Sequence, residues 1–185
     1  IVTINKERKI INSKYVINTA GGHSLDIAHQ FEVGLDLFDL HFRGEYWLAP
    51  QEYERLTSRS IYSVPKQQNF PFLDPHWIIK SDGHCEIGPN AVPVFGPYSY
   101  DFIDNLKNFI PKTKEIFYKK GLWALFTNRE FLSLLTNEIA GSLSKRVMIQ
   151  RVKQFLPALD TKKFNTRGTA GIRSLLVNEK GNFIP

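Results

Sequence analysis

The spacing of apolar and polar positions changes near Pro97. Before this residue, short apolar runs alternate with turn residues, which is typical of strands. After Tyr98, apolar residues recur at intervals of three and four, which is typical of amphipathic helices. The predicted helices are residues 101–110, 112–126, 128–140 and 142–155. We therefore expect an α+β fold, in which helices cover a mixed, largely antiparallel β-sheet.

The clearest local signal is a hairpin within residues 69–92. Asp82-Gly83 lies between two apolar runs, and glycine tolerates the positive φ that tight hairpin turns require. Pro89 should end the second strand, because proline cannot donate a hydrogen bond to a neighbouring strand. This hairpin would present three polar side chains beside aromatic residues, namely His76, His84 and Glu86. An ordinary hairpin whose aromatic residues belong to the core is the simpler interpretation.

Other segments carry weaker signals. Residues 1–4 and 9–11 resemble a short hairpin, residues 15–18 (YVIN) a buried strand, and residues 61–64 another short strand. Residues 166–177 predict a glycine-containing loop that leads into a strand. Pro111 and Gly121 should interrupt the helices. Four basic residues of the last predicted helix should form an exposed face: Lys145, Arg146, Arg151 and Lys153.

Composition narrows the class of protein. The 185 residues suit about one domain, and 42% hydrophobic residues suffice for a core. The single cysteine, Cys85, excludes a disulfide framework and a CxxC metal site, which fits a reducing, cytoplasmic location. No apolar run reaches the roughly 18 residues of a membrane span, and the net charge of +6 accompanies no nucleic-acid-binding motif. Because the chain begins with Ile1 and its one methionine is Met148, we expect a fragment of a longer protein.

A glycine turn follows the YVIN run, and three interpretations compete for it. Gly22-His23-Ser24 begins the G-x-S-x-G pattern of a serine hydrolase, but Asp26 stands where the final glycine is needed. The dinucleotide-binding pattern G-x-G-x-x-G is absent. The third interpretation is a turn beside a cofactor that another part of the protein holds, and a plain tight turn also remains open.

Two arginines are candidates for binding an anion. Arg43 precedes Gly44 and could offer its guanidinium to a carboxylate or phosphate, although pairing with Glu45 would suit the same spacing. Arg173 lies among apolar residues in a strand-like run. An arginine buried there would need a partner or a ligand, because an unpaired buried charge is costly.

Six short motifs occur in order along most of the chain. They are VINTAG (16–21), FRGEY (42–46), YSVP (62–65), NFPFLDPH (69–76), GPNAV (88–92) and AGIR (170–173). In this combination the chain resembles FAD-dependent oxidoreductases of the D-amino-acid-oxidase type, and most closely their L-2-hydroxyglutarate dehydrogenase branch. Each motif is weak alone, and the specificity of the resemblance comes from their order and spacing.

The resemblance implies a division into parts. Residues 35–165 would form the substrate-binding domain, and residues 1–34 and 166–185 would be partial segments of the FAD-binding domain. The implied chemistry is hydride transfer from a small anionic 2-hydroxy acid to the flavin. His76 would be the catalytic base, and Arg173 and Arg43 would bind the substrate. Four residues would lie near the cofactor: Ala20, Gly21, Gly22 and Gly171.

The chain also departs from the family pattern. Asp74 stands where the FPFLG motif usually has glycine, and Gly22-His23 replaces the usual sequence after Ala-Gly. Without a G-x-G-x-x-G turn, the chain by itself is expected to hold no tightly bound FAD. No metal site is expected either. The competing functions are a serine hydrolase that uses Ser24, with His76 or His84 as base, and a non-enzymatic basic binding module.

Overall fold

The computed structural model describes residues 2–4, 6–64 and 69–184. Their backbone forms a six-stranded antiparallel sheet, a separate two-stranded hairpin and five α-helices, so the predicted α+β class is confirmed. Asn5 and Pro65, which belong to two predicted segments, lie outside the described residues. The strands are β1 (Val2–Ile4), β2 (Glu7–Lys9), β3 (Phe38–Leu48), β4 (His76–Ile79), β5 (Cys85–Gly88), β6 (Val92–Val94), β7 (Thr166–Val177) and β8 (Phe183–Ile184).

Strand β3 is the centre of the large sheet. The order is β4-β5-β3-β7-β8, and β6 also pairs with β3. All these pairs are antiparallel, and β3 and β7 remain paired from Phe38↔Val177 to Leu48↔Thr166, with an irregularity between Glu45 and Trp47. The strand expected at the end of residues 166–177 is present, but the predicted loop before it is wrong, because β7 spans the whole segment, including its glycine residues.

The helices are α1 (Ser24–Gln30), α2 (Phe102–Tyr118), α3 (Lys120–Thr127), α4 (Arg129–Leu143) and α5 (Lys145–Lys153). Side chains from β3 and β7 form one core cluster with α3 and α4, including Phe38, Phe42, Leu125, Phe131 and Val177. Those of β4, β5 and α5 form a second, including Trp77, Cys85, Ile87, Met148 and Ile149. Helices α3 to α5 therefore cover one side of the sheet, as expected.

Several sequence predictions were wrong in detail. Residues 15–18 are exposed and form no strand, because no neighbouring strand among the described residues satisfies their backbone. Ile61 makes only an isolated bridge to Trp77. Helix α2 continues through Pro111, which lies on an exposed stretch where water can satisfy the carbonyl that loses its donor.

Gly121 does not interrupt a helix either; it lies in the first turn of α3. A Cβ there would lie 2.2 Å from the backbone oxygen of Asn178, so glycine allows α3 to approach the turn after β7. The helix boundaries fall instead at Lys119, Asn128 and Ser144. Asn128 is an N-cap, and its side chain accepts hydrogen bonds from the backbone of Glu130 and Phe131.

Candidate active site

A cavity of about 230 Å³ opens on the sheet where β3 and β7 carry glycine at directly opposite positions. Gly44 and Gly171 place no side chain there; open space surrounds the missing side chain of Gly171, and Pro89 packs closely over Gly44. Next to them, Phe42 lies opposite Arg173, and directly opposite residues project from the same face. The other lining residues come from two loops and from the flanking strand positions: Tyr46, Phe72, Leu73, Pro89, Asn90, Ala91 and Ile172.

Glu45 fixes one wall of this cavity. Its backbone N–H donates to Asn90 Oδ1 at 2.8 Å, and the Asn90 side-chain amide donates to Glu45 Oε2 at 3.2 Å. Ser142, near the end of α4, donates to the same oxygen at 2.5 Å. The wall at residues 88–91 is therefore attached to β3 by partly buried polar contacts, and the FRGEY and GPNAV motifs meet in space.

The surroundings of Glu45 favour its ionised form. Burial by itself would raise the pKa of its carboxyl group. The hydrogen bonds from Ser142 and Asn90 and the positive charge of Arg43 outweigh burial and hold the pKa below its usual value. Glu45 is therefore a carboxylate at neutral pH, which stabilises the wall and leaves no proton for chemistry.

Arg173 is the cationic residue of the cavity. Its side chain is exposed, and among the described residues its guanidinium forms no ion pair or hydrogen bond. Arg173 therefore needs no partner to offset a buried charge, because it opens onto the cavity. A guanidinium free of protein partners can offer two parallel donors to a carboxylate.

Tyr46 is another polar residue that lines the cavity. Burial and the nearby charge of Glu86 raise the pKa of its phenol, although the charge of Arg173 acts in the opposite direction. The hydroxyl group therefore stays protonated at neutral pH. It can donate a hydrogen bond to an anionic ligand that Arg173 attracts.

Arg43 follows Phe42 in β3 and does not line the cavity. Its Nε and Nη2 donate to Glu45 Oε1 at 3.1 and 2.7 Å, and its Nη1 donates to the Tyr100 carbonyl oxygen at 2.6 Å. Its guanidinium is thus engaged by protein groups, in the pairing that the sequence left open. The structure does not bring Arg43 into the cavity with Arg173, and its role in substrate binding stays a prediction.

His76 is buried at the start of β4 and does not line the cavity. Its Nδ1 donates to the Asp74 carbonyl oxygen at 3.0 Å, so Nε2 is the acceptor of the neutral ring. Burial lowers its pKa, despite the opposing effect of this hydrogen bond. The imidazole is therefore neutral at pH 7, which a base requires. The assignment of His76 as the base stays a prediction.

The other polar residues of the hairpin do not join His76. His84 is exposed at the far end of the turn, where its Nδ1 pairs with Glu54 Oε1 at 2.8 Å. Glu86 is buried and accepts hydrogen bonds from the backbone and hydroxyl of Thr169. Within residues 2–4, 6–64 and 69–184, no group of three or more His, Cys, Asp or Glu side chains could hold a metal ion.

The glycine turn at Ala20–Gly22 contacts β7, the strand that carries Gly171 and Arg173. Gly21 adopts a φ of +56°, which suits glycine, and open space surrounds the position of its missing side chain. A Cβ at Gly22 would lie 2.4 Å from Pro97 Cβ, so this glycine allows close packing of Pro97. The predicted cofactor residues therefore lie on or beside β7, and their role stays a prediction.

Nothing in this turn supports a serine hydrolase. Ser24 is the first residue of α1, and no described contact joins its hydroxyl group to a histidine. His23, its neighbour, pairs with Asp26 at 2.9 Å.

Sequence reasoning missed the residues that shape the cavity. Glu45 and Asn90 lie 45 positions apart, and no local periodicity connects them. Arg151 was expected on an exposed face of α5, but it pairs with Asp74 and Glu138, which is 2% exposed. The family motifs that contain Glu45 and Asn90 were the only signal in the sequence that could have indicated this pairing.

Comparison with curated proteins finds similarity to one class of dehydrogenase. No protein-family profile matches the chain. Proteins named L-2-hydroxyglutarate dehydrogenase are similar along nearly its whole length: 26% identical over all of it in Nematostella vectensis, 29% over all of it in Bos taurus, and 30% over 94% of it in Dictyostelium discoideum. The chain spans 39%, 38% and 37% of these relatives. The resemblance seen in the motifs is confirmed.

Proposed function

We propose that this chain is the substrate-binding part of an FAD-dependent oxidoreductase that oxidises L-2-hydroxyglutarate or a closely similar small 2-hydroxy acid. The observation that carries the proposal is the similarity, along the whole chain, to proteins named as dehydrogenases of that acid. The cavity beside Arg173 supports it independently, because a cation without protein partners is what an anionic substrate requires.

In this proposal, Arg173 binds one carboxylate of the substrate and fixes the orientation of its α-carbon. The protonated hydroxyl group of Tyr46 faces the same cavity and can donate a further hydrogen bond. Holding the substrate in this orientation accelerates a reaction, because the reacting atoms are already in the geometry that the reaction requires. Gly171 leaves open space for the substrate, whereas Gly44 allows Pro89 to pack closely against β3.

His76 is the proposed base that takes the hydroxyl proton. It is neutral at pH 7, and its Nε2 is the free acceptor. His76 does not line the cavity, and neither does Tyr62, whose ring lies 4.3 Å from the imidazole between centroids, so the proton would need a carrier between the substrate and His76. If His76 is the base, His76→Gln should lower kcat at least about a hundredfold. Wild-type kcat in this variant would remove His76 from the mechanism.

The residues of this chain fit one side of a flavin site. Ala20 and Gly21 are exposed beside β7, and open space surrounds Gly171 on the same strand. These backbones can lie against a flat ring without interference from side chains. When bound, FAD would accept the hydride from the α-carbon of the substrate. The phosphate-binding turn G-x-G-x-x-G is absent from this chain, so we propose that other residues of the protein hold the pyrophosphate.

The proposed division keeps residues 35–165 as the substrate-binding domain and assigns 1–34 and 166–185 to the FAD-binding domain. Because β7 pairs with β3, the boundary at residue 166 would cross a continuous sheet. No helix among the described residues is long and apolar enough to cross a membrane. The cytoplasmic location stays a prediction, and the animal relatives are named as mitochondrial.

The test is oxidation of L-2-hydroxyglutarate by the complete protein that contains this chain. The purified protein should absorb as a flavoprotein, reduce an artificial electron acceptor with the L-enantiomer, and release 2-oxoglutarate. The D-enantiomer is the matched control, and it should be turned over far more slowly. A flavin-loaded protein that is inactive with the L-enantiomer would refute the substrate, and a protein without flavin would refute the class.

A further inference from the structure

Arg151 joins two carboxylates from different parts of the chain. It projects from α5, its Nη1 donates to Glu138 Oε1 at 2.8 Å, and its Nη2 contacts Asp74 Oδ1. Glu138 belongs to α4, whereas Asp74 lies in the loop that precedes β4. One guanidinium therefore connects two helices and a loop in a partly buried position, where its side chain is 23% exposed.

Both partners of Arg151 extend from walls of the cavity. Glu138 uses its second oxygen, Oε2, to accept the backbone N–H of Ala91 at 2.8 Å, and Ala91 lines the cavity. Asp74 directly follows Phe72 and Leu73, which line the cavity from the other loop. Arg151 and its two ion pairs therefore connect these two walls.

The geometry requires an arginine. A guanidinium is planar and presents separate N–H groups toward two acceptors, whereas an ammonium group is a compact point charge on a flexible stem. Glu138 is 2% exposed, so it depends on Arg151 and the Ala91 N–H for charge and hydrogen bonds. The bridge is thus a fixed element of the site, although Arg151 itself does not line the cavity.

We propose that Arg151 is a positioning residue that sets the width of the substrate cavity through Asp74 and Glu138, and that it thereby selects the chain length of the dicarboxylic 2-hydroxy acid. The inference rests on the proposed function. It assigns to Arg151 an effect on the choice between substrates, in addition to its contribution to the fold.

The experiment compares L-2-hydroxyglutarate with L-malate, which is one methylene shorter, in the complete flavin-loaded protein. The ratio of the two kcat/KM values is independent of how much protein is active, so a purely structural loss does not change it. One methylene is commonly worth about 10–200-fold in discrimination. Arg151→Met should lower the ratio about three- to tenfold, mainly through a higher KM for the longer acid.

Two variants make the result decisive. Arg146→Met removes the same charge from an exposed position of α5 that has no described ion pair, and it should leave the ratio unchanged. Asp74→Asn breaks one arm of the bridge and keeps the Arg151–Glu138 pair, so it should lower the ratio about two- to fivefold. If Arg151→Met does not fold, Asp74→Asn decides the question.

The possible outcomes distinguish a failure of the proposed function from a failure of the positioning role. If the wild-type protein oxidises neither acid, the proposed function is wrong, and this inference falls with it. If the wild type prefers L-2-hydroxyglutarate and the Arg151 and Asp74 variants keep its ratio, only the positioning role is wrong. An equal change in Arg146→Met would also overturn it, because the effect would then come from surface charge.

Discussion

Replacing Glu45 by Gln tests whether this carboxylate holds the wall of the cavity. The substitution keeps the shape of the side chain and removes its charge. Glu45 is 14% exposed in its side chain and accepts hydrogen bonds from Arg43, Asn90 and Ser142. A glutamine retains one acceptor oxygen, so its NH₂ group must face some of these donors.

The expected cost follows from the contacts. A hydrogen bond to a charged group contributes about 1.5–3 kcal/mol and a neutral one about 0.5–1.5 kcal/mol, so the two bonds from Arg43 should weaken by about 1–1.5 kcal/mol each. The donors that meet the new NH₂ group add a further loss, and partial exposure of the Arg43 pair reduces the total. We expect Glu45→Gln to lower the free energy of unfolding by about 2–4 kcal/mol at pH 7.

The pH dependence of the free energy of unfolding provides an independent check of the same prediction. The folded-state pKa of Glu45 lies below its ordinary value of 4.5, so the carboxylate stabilises the fold fully above that value. The stabilisation is lost as the pH falls through the folded pKa. The difference between the wild type and Glu45→Gln should therefore be constant near neutral pH and shrink progressively below pH 4.5.

Urea unfolding followed by tryptophan fluorescence measures both effects. Glu52→Gln is the matched control, because Glu52 pairs with Lys163 and both side chains are about half exposed. That pair should contribute less than about 1 kcal/mol. The reasoning fails if Glu45→Gln costs no more than Glu52→Gln, or if its full deficit persists at low pH.

Three further predictions concern single side chains. Arg173→Lys should reduce kcat/KM for L-2-hydroxyglutarate about ten- to a thousandfold and leave the flavin content unchanged, and loss of flavin would contradict its assignment to the substrate. Gly121→Ala should destabilise the fold, because its Cβ would lie 2.2 Å from the Asn178 oxygen. Gly141 lies in a helix with open space around its missing side chain, so Gly141→Ala should stabilise the fold by about 0.5–1 kcal/mol, as measured by thermal unfolding. The Cys85 thiol is completely buried, and burial raises its pKa. Ellman's reagent should therefore label it only in urea, and rapid labelling of the folded protein would contradict this burial.

Local patterns predicted the elements whose cause is local. The Asp82-Gly83 turn and the helices after Tyr98 follow from turn chemistry and apolar periodicity, and both occur in the structure. Residues 15–18 show the limit of this reasoning. A continuous apolar run becomes a buried strand only when neighbouring strands and a covering layer surround it, and the run itself does not encode them.

The site shows a different limit. Arg173 was predicted to bind an anion because a charge in an apolar run was expected to be buried. The structure contradicts that reason, because the side chain is exposed and lines the cavity, and the binding role stays a prediction. Arg151 shows the reverse: a basic residue in a basic helix looked like surface charge. Its buried partner, Glu138, lies 13 positions away on another helix, and helix periodicity predicts no contact at that separation.

Glu45 and Glu138, each with its charged partner, bind the same short loop, residues 88–91. Glu45 bonds to Asn90 from the sheet, and Glu138 accepts the N–H of the next residue, Ala91, from the helices. A loop usually moves because its backbone polar groups are exposed to water. Here those groups bond to side chains that other charges hold in place, so the cavity wall should be as rigid as the strands beside it. An open cavity with rigid walls can discriminate between ligands by length, and this rigidity is the reason that a change at Arg151, outside the cavity, should alter the choice of substrate.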